Sequence, residues 1–270
     1  MKTIELTPKY TVTLVEEDDR HYYDVLDNGN TVRYPGVTGI LDIVGGGKTY
    51  ALMAWSKKTA LESVREKIKA RLEGAASRSI QVSQEWIDEI IAEAKTKPEA
   101  VKDEAAEIGS RVHAYLDKIV KGESLPTVEP EIRHTVDAFG EYCDTNKIHF
   151  VFGDTPVASR DHEYGGALDA LIETSAGLEV LDFKTSNAIR DTYALQVAAY
   201  ANATNETYGV RVAGATILRL GKELKKNKKT KLFEVDFEIK KVKDVALSFE
   251  AFLDAKRLKE KMEVDQYEPR

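Results

Sequence analysis

Gly165-Gly166-Ala167-Leu168-Asp169-Ala170-Leu171-Ile172-Glu173, then Thr174-Ser175-Ala176-Gly177, then Leu178-Glu179-Val180-Leu181-Asp182-Phe183-Lys184 is the stretch whose reading decides the fold. Two apolar, β-prone runs flank a short polar segment, the pattern of a hairpin. With 174–177 as the loop, Glu173 faces Leu178, and the same register sets Asp169 opposite Asp182. Side chains alternate along a strand, so Asp182 and Lys184 share a face. Directly opposed Cβ atoms lie ~4.5–5.5 Å apart. Two carboxylates and an ammonium therefore converge on one side of a sheet, between mostly apolar neighbours.

Working outward, residues 99–121 read as a helix closed by Gly122, and about 130–146 as another. Strand-like runs follow at 148–152 and 156–159 before the hairpin. Beyond it come a helix at about 191–205, strands at 212–219 and 232–239, and a final helix at 242–262 with Val245, Phe249, Phe252 and Leu253 on one face. Upstream, residues 2–41 read as β, with a turn signal at Asp27-Asn28-Gly29-Asn30. Residues 50–72 read as a helix. Ser83 is placed to cap the next one, and Pro98 is expected to separate that helix from 99–121. The segment 1–98 is thus an N-terminal β-hairpin and helical addition, and 99–270 the core. With no linker or repeat between them, 1–270 is best read as a single domain. The expected class is α/β, a central mixed sheet flanked by helices.

The chain has 270 residues, a net charge of −7 and one cysteine, Cys143. A single Cys excludes an intramolecular disulfide framework, a Cys-rich zinc module and a four-cysteine iron–sulfur cluster, and makes a reducing, cytoplasmic setting the expectation. No apolar run approaches the ~20 residues that span a bilayer, so no membrane partner is expected. An acidic protein is not a general nucleic-acid coat, so any such role must be local. Gly45-Gly46-Gly47-Lys48-Thr49 imitates a phosphate loop, but the position that needs the first glycine holds Asp42, so an NTPase is rejected.

Opposed carboxylates destabilise a sheet unless a cation lies between them. Hard oxygen ligands suit Mg²⁺ or Mn²⁺, and an adjacent Lys can orient a metal-bound water or offset developing negative charge. That is equipment for metal-assisted phosphodiester hydrolysis. The plainer alternative is a solvated salt-bridge trio. Three further features bear on the choice. His113 sits on the flank of the apolar stripe of helix 99–121, within reach of a sheet edge. Gln196 and Tyr200 share a helix face, with Tyr193 one turn earlier. Residues 221–231 carry six Lys, among them Lys225, Lys226, Lys228 and Lys229, and one Glu. They form either a solvated hairpin loop or one that tracks phosphates.

Together, Ile108-Gly109-Ser110-Arg111-Val112-His113, Gly165-Gly166-Ala167-Leu168-Asp169, Asp182-Phe183-Lys184-Thr185-Ser186 and Gln196-Val197-Ala198-Ala199-Tyr200 resemble, in this order, the PD-(D/E)xK nuclease superfamily in its RecB-like, phage-type exonuclease branch. Pro35-Gly36-Val37-Thr38-Gly39-Ile40-Leu41 and Trp55 resemble the lead-in segment of such exonucleases. The resemblance implies a restriction-endonuclease-like core. It implies that His113, Asp169, Asp182 and the Phe183 carbonyl hold Mg²⁺ or Mn²⁺. Lys184 would act on the nucleophilic water, and Gln196, Tyr200, Thr185 and Ser186 would meet substrate. An additional acidic ligand in relatives corresponds to Asp154, with Glu163 as a second candidate. The single Cys rules out the iron–sulfur subgroup. The expected function is a metal-dependent DNA exonuclease of phage-type or bacterial recombination, repair or degradation, with DNA as partner and a recombination protein as a companion. The alternatives are a non-catalytic nucleic-acid-binding or assembly module on the same fold, and a metal-dependent hydrolase of small phosphate esters.

Overall fold

The computed structural model describes residues 6–18, 20–74, 82–226, 231, 233–234 and 236–264, with backbone alone at 45–51. The chain forms two compact units, one of residues 1–44 and 111–270, the other of residues 45–110.

In the larger unit, β1 (Thr11–Glu17), β2 (Arg20–Asp27) and β3 (Asn30–Pro35) make an antiparallel meander. Residues 37–41 were expected to continue as β but form a short helix, α1 (Val37–Leu41). Val37, Ile40 and Leu41 are buried, and their spacing of three and four residues points all three inward only in a helix. A single 3-10 turn, Asp42–Gly45, follows.

The central sheet comprises β4 (His149–Ser159), β5 (Tyr164–Thr174), β6 (Gly177–Lys184), β7 (Val212–Leu220) and β10 (Phe237–Lys241), in the order β10-β7-β6-β5-β4. Only β6 and β7 run parallel, joined through α5 (Asp191–Tyr208). The two strand runs expected at 148–152 and 156–159 are one strand, β4, with an irregularity between Phe150 and Phe152. A separate two-rung ladder, β8 (Lys225–Lys226) with β9 (Phe233–Glu234), comes between β7 and β10 along the chain. One face of the sheet carries Val180, Leu171 and Ile217 against Val197, Ala199 and Ala203 of α5, which is backed by Phe252 and Ala255 of α6 (Val245–Glu263). On the other face, Phe139 of α4 (Arg133–Asn146) packs edge-on to Phe183, ring centroids 5.1 Å apart. The result is the mixed sheet between helices that the hairpin implied.

The smaller unit holds α2 (Gly46–Glu73) and the first part of α3 (Gln84–Lys121). Within it Lys67 and Glu93 pair at 2.7 Å, and the Arg71 guanidinium lies 4.4 Å over the Trp86 ring. Ser83 Oγ accepts the Trp86 N–H, the cap the sequence implied. Pro98, however, does not separate two helices: α3 runs through it. Proline removes one backbone donor, and the long helix on either side holds the rest of the ladder. The end of α3 falls at Gly122, where Gly122 N–H meets Ile119 O and Glu123 N–H meets Lys118 O, the pair of bonds of a Schellman turn. Among the described residues no helix is long and apolar enough to cross a membrane.

Candidate active site

The hairpin keeps the register read from the sequence. Glu173 pairs with Leu178, Ile172 with Glu179, Leu171 with Val180 and Ala170 with Leu181. Its loop is shorter than the expected four residues, because Thr174 and Gly177 also pair and leave Ser175-Ala176 as the turn. The ladder stops at Ala170 and Leu181. At the next position the Asp169 side chain replaces backbone, and Oδ2 accepts the Phe183 N–H at 2.6 Å. Asp169 therefore sits in a fissure where β5 parts from β6, beside Asp182 rather than as its rung partner. In a strand, one residue's N–H and C=O point to the same side, so the Phe183 carbonyl faces the same fissure.

Asp182 is 1% exposed. Its Oδ2 lies 2.6 Å from Lys184 Nζ, yet it receives no hydrogen bond of good geometry. Burial, opposed by Lys184 and reinforced by Asp169, pushes this carboxyl up to about 6. Asp169 behaves oppositely. Burial would raise it, but His113, Lys184 and the Phe183 amide together hold it below its ordinary value. His113 Nδ1 stands 3.5 Å from Asp169 Oδ1. Burial works against the imidazolium, and Asp169 outweighs it, so the His113 pKa is raised. Burial likewise opposes charge on Lys184, but Asp182 and Asp169 prevail and hold the amine protonated.

From α5, Tyr193 places its ring 5.0 Å from Lys184 Nζ and donates its hydroxyl to Ser186 Oγ at 3.2 Å. Ser186 in turn donates to the Ala188 carbonyl, so its hydroxyl organises the turn after β6. Gln196 Nε2 donates to Tyr200 Oη at 2.8 Å. Tyr200 is buried over Gly166, where a Cβ would come 2.3 Å from its Cε1. Only glycine admits the ring there. Burial, with the Asp182 charge, raises the Tyr200 hydroxyl well above its ordinary value, so it remains a neutral donor.

The other candidates divide. Asp154, on β4 with φ of 45°, pairs with Lys121 at 2.6 Å near the end of α3. Its charge is among those felt by Asp117 near the centre, although it does not bond Asp169 or Asp182. Glu163 is an exposed residue of the turn before β5, ~20 Å along the strand from Asp169. The structure does not bring it to the site. Thr185 lines a cavity with Lys225. Lys226 lies against the Phe233 ring instead, and Lys228 and Lys229 fall outside the described residues.

A model of the PD-(D/E)XK nuclease superfamily matches residues 59–269. The chain belongs to that superfamily. The nuclease is also similar to a solved structure, an alkaline exonuclease (LHK-Exo) from Laribacter hongkongensis. They share 11% identity over 57% of this chain and 84% of that one, with a TM-score of 0.29. No curated protein matches the sequence.

Nucleases of this superfamily generally use divalent metals. Among the described residues, no group of three or more His, Cys, Asp or Glu side chains is arranged to hold a metal. Two carboxylates and a backbone carbonyl nonetheless suit Mg²⁺ or Mn²⁺, which keep several waters. Buried Asp182 Oδ2, which has the Lys184 ammonium 2.6 Å away but no hydrogen bond of good geometry, is an atom such an ion would share with that amine. One residue of this nuclease escaped the sequence reading. Asp117 lies one turn beyond His113 on α3, and its carboxyl is pushed up to about 6 by burial and then by the charges of Asp154 and Asp169. The signal was there: a spacing of four residues puts His113 and Asp117 on one helix face.

Proposed function

We propose that this nuclease is a Mg²⁺- or Mn²⁺-dependent exonuclease acting on DNA. The observation that carries the reading is the buried Asp182 carboxylate beside Asp169, with the cationic Lys184 2.6 Å from its Oδ2. Asp169, Asp182 and the Phe183 carbonyl would hold the ion, with His113 beside Asp169. When bound, it would offset charge on the phosphate and lower the pKa of a water.

The protein's own residues supply the rest. Lys184 carries its proton, so it is a donor rather than a base. It would orient the attacking water, which gives its proton to bulk solvent, and stabilise negative charge as the new P–O bond forms and the leaving oxygen departs, taking a proton from solvent. His113, paired to Asp169, fixes that carboxylate's orientation. Gln196 fixes the Tyr200 hydroxyl, a neutral donor for substrate. Action on DNA ends is supported by the resemblance of the four motifs to phage-type exonucleases, and a role in DNA recombination, repair or degradation goes with it.

The test is a time course on end-labelled linear DNA and on covalently closed circular DNA, with Mg²⁺, Mn²⁺ or EDTA. Linear DNA should shorten from its ends only with metal, and Asp182→Ala should abolish this. Nicking of the circle would make it an endonuclease. Retention of DNA without cleavage would make it a binding module. Cleavage by Asp182→Ala at the wild-type rate would end the assignment.

A further inference from the structure

We infer that a cavity of about 390 Å³ beside Lys184, walled by the 185–187 turn and the 219–225 segment, binds the DNA phosphate next to the one being cleaved, through Lys222, Lys225 and Thr185. The inference deepens the nuclease reading and takes its substrate from it.

Position comes first. β6 and β7 run parallel with Lys184 beside Arg219, so the cavity opens just beyond both residues. Thr185 and Ser186 are one and two residues past Lys184, about 3–7 Å along the chain, the scale of one nucleotide step on a strand. In sheets of this kind ligands gather outside the carboxyl ends of parallel strands.

The walls are built rather than incidental. Arg219 is 8% exposed at its side chain and pairs with Asp236 at 3.0 Å and Glu238 at 3.3 Å. Its charge is thereby committed to shaping the wall. Gly221 donates its N–H to the Asp236 carbonyl at 2.6 Å, and its own carbonyl accepts from the buried Thr135 hydroxyl at 3.0 Å. Both strand ends are thus tied to the core. On this fixed base stand Lys222 and Lys225, with Thr185 supplying a neutral donor beside the active centre. Lys225 is 72% exposed and reaches Asp236 at 3.5 Å, a contact weak enough for a phosphate to replace. In a protein of net charge −7, the wall brings Lys222 and Lys225 together with the already paired Arg219, against the carboxylates of Glu223 and Asp236. A strand whose scissile phosphate meets Asp182 and Lys184 would carry a neighbouring phosphate toward this cavity, which begins one residue past Lys184.

The experiment measures binding of a fluorescein-labelled single-stranded 12-mer by anisotropy in EDTA, at 50–200 mM salt, and cleavage of the same strand separately in Mn²⁺. For the double variant Lys222→Ala/Lys225→Ala, Kd should rise about tenfold at the low-salt end. The slope of log Kd against log salt should fall by ~1.4, two contacts at about 0.7 each for a single strand. The double variant Lys222→Arg/Lys225→Arg should keep both values near wild type. An alanine variant that binds as tightly and with the same slope as wild type overturns the inference, whether or not the protein cuts. So does a wild-type protein that does not bind the strand. Wild-type binding that depends on the lysines, without cleavage in Mn²⁺, would sink the nuclease reading alone and leave the phosphate site standing.

Discussion

Replacing Asp182 by Asn should make the metal-free protein more stable at alkaline pH. The Asp182 carboxyl is buried, and it titrates at about 6 instead of its ordinary 3.8. That difference corresponds to about 3 kcal/mol between the charged and neutral forms, because one pKa unit is worth about 1.4 kcal/mol. The attraction of Lys184 is already contained in the value, since it acts to lower the same pKa. The sign follows from linkage. A carboxyl with a raised folded-state pKa holds its proton better in the native state, so its stabilisation is complete below 3.8 and lost as pH rises through about 6. Asn imitates the protonated form at every pH. The gain of Asp182→Asn over wild type should therefore be about 3 kcal/mol at pH 8, roughly half of that at pH 5, and near zero at pH 3.5. Urea denaturation in EDTA at those pH values measures it. Excess Mn²⁺ should reverse the order at pH 8, because ion present at a thousand times its Kd stabilises wild type by about 4.1 kcal/mol and has little hold on the variant. A variant no more stable than wild type at pH 8 in EDTA would show that Lys184 compensates the buried Asp182 charge in full. The argument that the acidic pair is poised for a cation would then fail.

Other outcomes follow from the same geometry. Lys184→Met should lower kcat on DNA by about a hundredfold or more while leaving KM nearly unchanged, since the ammonium acts on the reacting centre; steady-state kinetics in Mn²⁺ would show it. Gly153→Ala should impair folding and activity together, because its Cβ would come 2.4 Å from both the Asp169 carbonyl oxygen and Val120 Cγ1. A loss of about 1–3 kcal/mol is expected from such overpacking, read by urea denaturation. Asp117→Asn should raise the Mn²⁺ concentration for half-maximal rate several-fold, because it removes a negative charge acting on Asp169; a metal titration of activity decides it.

The hairpin was legible because strand alternation and a short loop leave few registers, and a slip of one residue would turn Asp182 out of the apolar face it shares with Val180. Helix α3 was not legible in full. Pro98 is a strong local breaker, but its effect is one missing hydrogen bond, and the length of helix around it decides whether the axis continues. The 37–41 segment failed for the converse reason. Val37, Ile40 and Leu41 suit either a strand or a helical turn by type, and only the burial of all three settles the spacing.

At the site, the difference between Asp169 and Asp182 is the part that pairing alone could not supply. An ideal ladder would make them equivalent, two carboxylates at one rung with one shared pKa problem. The strands separate after Ala170 and Leu181, and this frees the Phe183 N–H to bond Asp169 while Asp182 Oδ2 faces the Lys184 ammonium at 2.6 Å. One carboxylate is thereby held ionised by an amide, an imidazole and an amine, and the other is pushed toward neutrality by burial. The pair differs because of where the ladder ends, and β4 and α3 pack closely against the strand there. Gly153 admits Val120 against the Asp169 backbone, and α3 then presents His113 and Asp117 on that side. Residue types and spacing can nominate the two aspartates, but only the packing around them makes one the carboxylate held by an amide and an imidazole and the other the buried partner of Lys184.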